Sequence, residues 1–272
     1  GVSTHGIAWF PQYVNKNCFQ SFRKMGVNTI RLALYSDKGA GFSKSLYKKV
    51  DEGIQYATEL GMYVVIDWHI LSDGDPNQNK DEAIAFFKEM AETFTNNDNV
   101  LYEICNEPNG GTSWESIKAY AEEVIPVIRE KRPDAVILVG TPTWSQEIDK
   151  AAESPLEDKN VMYTLHFYAG THKDDLRNRL ESYAQNGLPI FVSEFGMCDA
   201  SGNGANDFES TTKWLDLLNK YQISFMCWNL ANKDESSSVF RANSTKISDW
   251  TEEDLSEAGQ WIKAYFKNRS YQ

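Results

Sequence analysis

Short apolar runs alternate with longer amphipathic stretches along almost the whole chain, and that alternation restricts the fold more than any other feature. The runs lie at Gly6–Phe10, Thr29–Tyr35, Tyr63–His69, Val100–Asn106, Ala135–Gly140, Val161–Phe167, Ile190–Glu194 and Ser224–Trp228. Each is rich in Val, Ile, Leu or aromatic residues, as a strand buried on both faces of a parallel sheet must be. Between them, Leu46, Val50, Ile54, Ala57 and Leu60 recur close to the 3.6-residue period of a helix over Leu46–Leu60. Asp81–Phe94, Trp114–Arg132, Asp175–Asn186, Phe208–Tyr221 and Leu255–Phe266 read the same way, while Trp144–Pro155 is weaker, short or distorted. Gly26, Gly61 and Gly187 stand at helix ends just before a strand. Eight strand–helix units in 272 residues predict an α/β fold, a closed (β/α)8 TIM barrel forming one catalytic domain over residues 1–272. A doubly wound open sheet is the alternative, but no Gly-rich phosphate turn follows the first strand.

A net charge of −12 opposes nucleic acid, since phosphate binding draws on Lys and Arg. No apolar run reaches membrane-spanning length. The chain opens on Gly1-Val2-Ser3-Thr4-His5-Gly6 without a signal peptide, as a trimmed or mature chain does. Cys18, Cys105, Cys198 and Cys227 are scattered, and Cys105 and Cys227, inside apparent strands, read as small buried hydrophobes. No Cys/His spacing suggests zinc, no HExxH is present, and the reading calls for neither metal nor cofactor.

In such a barrel the chemistry sits at the C-terminal ends of the strands. Arg31 and Tyr35 belong to the second strand, and His69 closes the third. Asn106 and Glu107 close the fourth, His166 and Tyr168 the sixth, Glu194 the seventh and Trp228 the eighth. Two glutamates from different strands suit cleavage of a glycosidic bond. One carboxylic acid protonates the leaving oxygen, and a carboxylate stands across the anomeric carbon. A separation near 5 Å means retention through a covalent intermediate, and about 8 Å or more means inversion. One carboxyl must hold its proton and the other must stay ionised, which Arg31 favours for Glu194. Duller readings stand beside these: His69 and His166 as core histidines satisfied by backbone, Trp228 as a plug of the barrel.

The motifs VLYEICNEPNG (Val100–Gly110) and FVSEFG (Phe191–Gly196) resemble the fourth- and seventh-strand signatures of glycoside hydrolase family 5. The likeness continues through STHGIAWF (Ser3–Phe10), NTIRLALY (Asn28–Tyr35), VVIDWH (Val64–His69), GTPTWSQ (Gly140–Gln146), LHFYAGTH (Leu165–His172) and WNLANKDESS (Trp228–Ser237). The resemblance implies Glu107 as acid/base and Glu194 as nucleophile of a retaining enzyme. It implies that Asn106 binds the sugar 2-hydroxyl, that Arg31 and Tyr168 orient Glu194, and that His166 sits beside the acid/base. His69 and Trp228 would form the −1 subsite. Trp9 and Trp144 would offer rings at the rim, beside Tyr35.

The string NLANKDESS resembles the cellulase-rich subfamily 2, which implies Lys233 and Glu235 at subsite −2 with His5 and Trp9 nearby. The expected activity is an endo-β-1,4-glucanase on cellulose or its soluble derivatives, with polysaccharide and cello-oligosaccharides as partners. Mannan, xyloglucan and mixed-linkage glucan stay open, as does a non-catalytic carbohydrate-binding barrel. Ala8 and Phe195 depart from the family pattern, and Cys198 is unusual in the loop after the seventh strand. Secretion is expected from the insoluble substrate, a monomer is expected alongside it, and Asn243-Ser244-Thr245 and Asn268-Arg269-Ser270 fit the glycosylation pattern.

Overall fold

The computed structural model describes residues 1–268, so the Arg269-Ser270 part of the second glycosylation triplet lies outside the described residues. The strands are β1 (Val2–Thr4), β2 (Thr29–Tyr35), β3 (Tyr63–His69), β4 (Val100–Glu103), β5 (Ile137–Val139), β6 (Val161–Thr164), β7 (Phe167–Tyr168), β8 (Ile190–Gly196) and β9 (Phe225–Leu230). All pair in parallel, in the order β6-β5-β4-β3-β2-β1-β9-β8-β7, and the β6–β8 pairing closes the ring. With β6 and β7 counted as one interrupted stave, this is the eight-stave (β/α)8 barrel. Its helices are α1 (Lys16–Lys24), α2 (Tyr47–Glu59), α3 (Lys80–Thr93), α4 (Trp114–Arg129), α5 (Ile148–Glu153), α6 (Asp174–Gln185), α7 (Phe208–Lys220) and α8 (Glu257–Lys267). None of the described helices is long and apolar enough to cross a membrane.

Local chemistry sets the boundaries. Asn15, Ser113, Asp207 and Ser256 cap α1, α4, α7 and α8 by accepting from a backbone N–H three residues on. The interface between staves and helices is one continuous apolar layer in which Trp68, Trp214, Phe86, Phe87 and Phe167 are fully buried. Phe195 belongs to this layer, stacked on Phe167 at 5.3 Å, so its ring faces the helices rather than the barrel mouth.

The first stave is not Gly6–Phe10. The chain turns there, Trp9 and Phe10 donating to the Gly6 carbonyl, and the strand is Val2–Thr4, in register with Ile30 and Arg31. Ile7 and Phe10 gave the stretch its strand-like look, yet Ile7 is buried and Phe10 half-buried against the core beyond the stave. The sixth stave breaks after Thr164, because the His166 N–H leaves the sheet to donate to the Ser145 carbonyl. The fourth ends at Glu103, three residues short of Asn106. Helix α1 was foreshadowed only by Gly26 at its end.

Candidate active site

Side chains alternate along a strand, so each stave sends every second residue into the barrel. At the lower end Val65, Leu138, Phe191 and Met226 form a dry plug. One step up, the barrel is filled by charge. Arg31 is wholly buried, and its five N–H donors meet five acceptors. Nε and Nη2 grip both oxygens of Glu103 at 2.7 and 3.1 Å, and Nη2 also donates to Asn106 Oδ1 at 2.7 Å. Nη1 donates to Glu194 Oε2 at 3.0 Å and to Ser3 Oγ at 3.4 Å. Asp67 lies 3.0 Å from Nη2 and meets His69 Nδ1 at 2.6 Å. Burial raises the Asp67 carboxyl well above its usual range, and burial lowers His69 to about 3, so burial disfavours the charged form of both partners.

The two glutamates occupy opposite electrostatic situations. Burial works against ionisation of Glu194, but His166 and Arg31 outweigh it and hold its carboxyl below the usual value, and the Tyr168 hydroxyl donates to Oε1 at 2.7 Å. Glu107 is pushed up, by burial first and then by the negative charge of Glu194. His166 Nδ1 donates to Glu107 Oε1 at 2.8 Å, and Nε2 donates to Ser193 Oγ at 2.7 Å, which donates onward to Glu103 at 2.6 Å. Burial disfavours the imidazolium, but the carboxylates of Glu103 and Glu107 prevail and lift His166 to about 9.

Single carboxylate oxygens of Glu107 and Glu194 and a ring nitrogen of His166 all lie within 4.8 Å of one another, a spacing a metal could use. The donor set does not fit one. Both His166 nitrogens carry protons and are committed to Glu107 and Ser193, which leaves no lone pair for a cation.

Above the carboxylates lies a cleft of about 740 Å³, lined among others by His5, Trp9, Tyr35, Trp144, Trp228 and Glu235. Trp228 is almost covered, its ring stacked on His69 at 5.3 Å and 13°, and it forms floor rather than plug. Tyr35 packs 4.3 Å from His69 and 5.1 Å from Trp9. Gly196 makes room for Tyr168, whose ring lies 2.2 Å from where a Cβ would stand. Trp9 and Trp144 are the half-exposed rings, 48% and 47%. They follow the first and fifth of eight staves and so stand on opposite sides of the mouth. Lys233 bonds Glu235 at 2.7 Å, and Glu235 lies 3.9 Å from His5 Nε2. Asn106 is fully occupied: its amide donates to the Ile70 carbonyl at 3.0 Å and to His69 Nε2 at 3.3 Å. A sugar hydroxyl would have to displace the longer bond.

Twelve of the fourteen site residues expected from the sequence therefore line one cleft, and the other two, Arg31 and Asn106, lie buried beneath it. Asp67, Glu103 and Ser193 were missed, although an acid inside an otherwise apolar parallel strand has to face a partner and is a readable sign of one. Cys198 is buried rather than on the cleft surface, and all four cysteines are buried free thiols.

A parallel barrel whose two facing-strand glutamates are shifted in opposite directions beneath an aromatic cleft has the makings of a glycosidase. The family description "Cellulase (glycosyl hydrolase family 5)" matches residues 1–234. The chain belongs to glycoside hydrolase family 5. It is 47% identical to Endoglucanase A of Butyrivibrio fibrisolvens, covering 96% of this chain and 63% of the relative. It is 46% identical to an endoglucanase of Clostridium saccharobutylicum, covering 97% and 60%. The chain thus spans about three fifths of the length of these curated relatives. A structure of a Thermobifida fusca endoglucanase Cel5A catalytic-domain variant with cellotetraose superposes with a TM-score of 0.94 at 38% identity, covering 98% of this chain and 91% of that one.

Proposed function

We propose that the chain is an endo-acting β-1,4-glucanase that works by retaining double displacement, with Glu107 as acid/base and Glu194 as nucleophile. The observation that carries this is the pair itself: an oxygen of each carboxyl within 4.8 Å of the other, with Glu107 pushed up and Glu194 held down from the usual carboxyl range. So close an approach of the two carboxyls supports the retaining geometry, in which no water has to fit between them at the first step. Glu194 attacks the anomeric carbon, and the glycosidic C–O bond breaks as Glu107 gives its proton to the departing oxygen. Glu107, now a carboxylate, takes a proton from water, whose oxygen displaces Glu194 and regenerates both groups. Tyr168 and Arg31 keep the attacking carboxylate aimed, and Asn106 meets the 2-hydroxyl.

The glucan reading is supported by the cellotetraose bound to the Thermobifida relative and by the endoglucanase names of the curated relatives. An open cleft with a ring on each side suits a chain entered anywhere along its length. Lys233, Glu235 and His5 form its polar bank, placed for hydroxyls of the −2 sugar. The enzyme acts outside the cell, where an insoluble polymer is found, and as a monomer, because one chain supplies every group of the site. The test is reducing-end release from carboxymethyl cellulose, with the first-formed anomer followed by NMR. Glu107→Gln and Glu194→Gln should each lose at least about a hundredfold in activity, with β-anomer formed first by the parent enzyme. Full activity in either variant, or α-anomer first, overturns the assignment.

A further inference from the structure

Thr143, Trp144 and Ser145 follow one another with φ of 57°, 55° and 56°, three consecutive non-glycine residues in the left-handed region. L-residues avoid that region, and a chain keeps them there only where surrounding contacts over-determine it. Glycine would relieve the strain at Ser145, so the side chain present there has a use that glycine could not supply.

The bonds show the use. Ser145 is completely buried, and its Oγ donates to the Asn106 carbonyl at 2.7 Å while accepting from Thr164 Oγ1 at 3.1 Å and the Thr141 N–H at 3.3 Å. The Trp144 N–H donates to the Pro108 carbonyl at 2.9 Å. The carbonyls of the two residues that flank Glu107, Asn106 and Pro108, are therefore held by two adjacent residues of this turn. The Ser145 carbonyl accepts from the His166 N–H at 2.7 Å, fixing the imidazole that bonds Glu107. Gly140 lets the two loops touch, for a Cβ there would fall 2.4 Å from the Cys105 carbonyl and 3.0 Å from that of Asn106.

We propose that Ser145 is a positioning residue for proton donation by Glu107: its buried hydroxyl, presented by a left-handed turn, clamps the strand end that carries the acid, while its main-chain carbonyl holds the backbone of the histidine beside it. The turn that does this also sets Trp144 at the cleft edge, so one strained segment places both the proton donor and a ring for the departing part of the chain. The inference rests on the reading of Glu107 as the acid.

Its test compares a substrate that needs the proton with one that does not. Cellotetraose has a poor leaving group, whereas 2,4-dinitrophenyl β-cellobioside expels an anion unaided, so kcat/KM on the second ignores the acid. Ser145→Ala and Ser145→Gly should each fall about ten- to a hundredfold on cellotetraose, the scale of a small misplacement, and stay within about twofold on the aryl glycoside. The glycine variant suits the left-handed backbone and so guards against a mere failure to fold. Equal losses on both substrates, unchanged cellotetraose rates, or a glycine variant restored to the parent rate would overturn the proposal. Glu107→Ala, run alongside, should show the same selectivity at full strength. If it loses both substrates equally, the reading of Glu107 itself has failed, and the proposal falls with it.

Discussion

Replacing Arg31 by Lys keeps a positive charge in the barrel but removes the fork that holds it. Arginine supplies five N–H donors here and each has an acceptor, whereas an ammonium supplies three from a single nitrogen. At least two bonds to charged or buried polar groups are lost. At about 1.5–3 kcal/mol for each bond to a charged group, the variant should be about 3–6 kcal/mol less stable. That is a large part of the 5–15 kcal/mol typical of a domain, but not all of it. The bond to Glu194 is among those a shorter, compact head cannot keep, so the carboxyl of the proposed nucleophile should climb towards the usual range. Urea unfolding followed by the fluorescence of the 8 tryptophans gives the first quantity. The acid limb of kcat/KM on cellotetraose gives the second. A variant within about 1 kcal/mol of the parent, with an unmoved acid limb, would refute the view that Arg31 organises this layer.

The parent enzyme should itself show a bell. In the proposed mechanism Glu194, held low, works ionised, so activity rises through a limb below the usual carboxylate range; Glu107, held high, works protonated, so activity falls through a limb above it. A basic limb that persists in the residual activity of Glu107→Gln belongs to another group. His166 titrates at about 9 when folded and about 6.5 when not, so its ion-pair stabilisation is complete below about 6.5 and disappears as pH rises through 9. His166→Gln should therefore be most destabilised relative to the parent near pH 6 and least above pH 9, by urea unfolding; a gap that widens with pH would reverse the assignment of charge. Trp144→Ala should raise KM for cellotetraose by about two- to tenfold, the worth of one stacking contact, and leave 2,4-dinitrophenyl β-cellobioside unchanged. An equal effect on both would put the ring elsewhere than on the leaving-group side.

The barrel was legible because β2, β3 and the helix of Leu46–Leu60 carry their periods openly, and the mouth was legible because polar groups end apolar strands. What escaped was whatever departs from local pattern. Ile7 and Phe10 are apolar enough to imitate a strand, but the backbone at Gly6 turns, and no spacing in five residues separates the two cases. Glu103 sits four residues before Glu107, where it passed as part of a strand's ordinary run. Its meaning depends on Arg31, 72 positions away in the chain. The left-handed turn at Thr143–Ser145 has no glycine to announce it, and it appeared only as a weak stretch of helix.

The charged layer around Arg31 has a consequence for the whole reaction cycle. In the resting enzyme it holds the cations Arg31 and His166 against the carboxylates of Glu103 and Glu194. In the proposed double displacement the Glu194 anion vanishes when the sugar is esterified to it, and in the same step Glu107 surrenders its proton and becomes an anion. The interior keeps the same total through every stage, with the negative charge moving only the width of a sugar ring. No counterion need enter or leave a water-poor barrel between the two displacements. Ester formation also removes the neighbour that had kept Glu107 protonated, so the acid of the first step is made into the base of the second by the chemistry of its partner. The turnover of substrate and the resetting of the catalyst are thus one electrostatic event seen from two carboxylates.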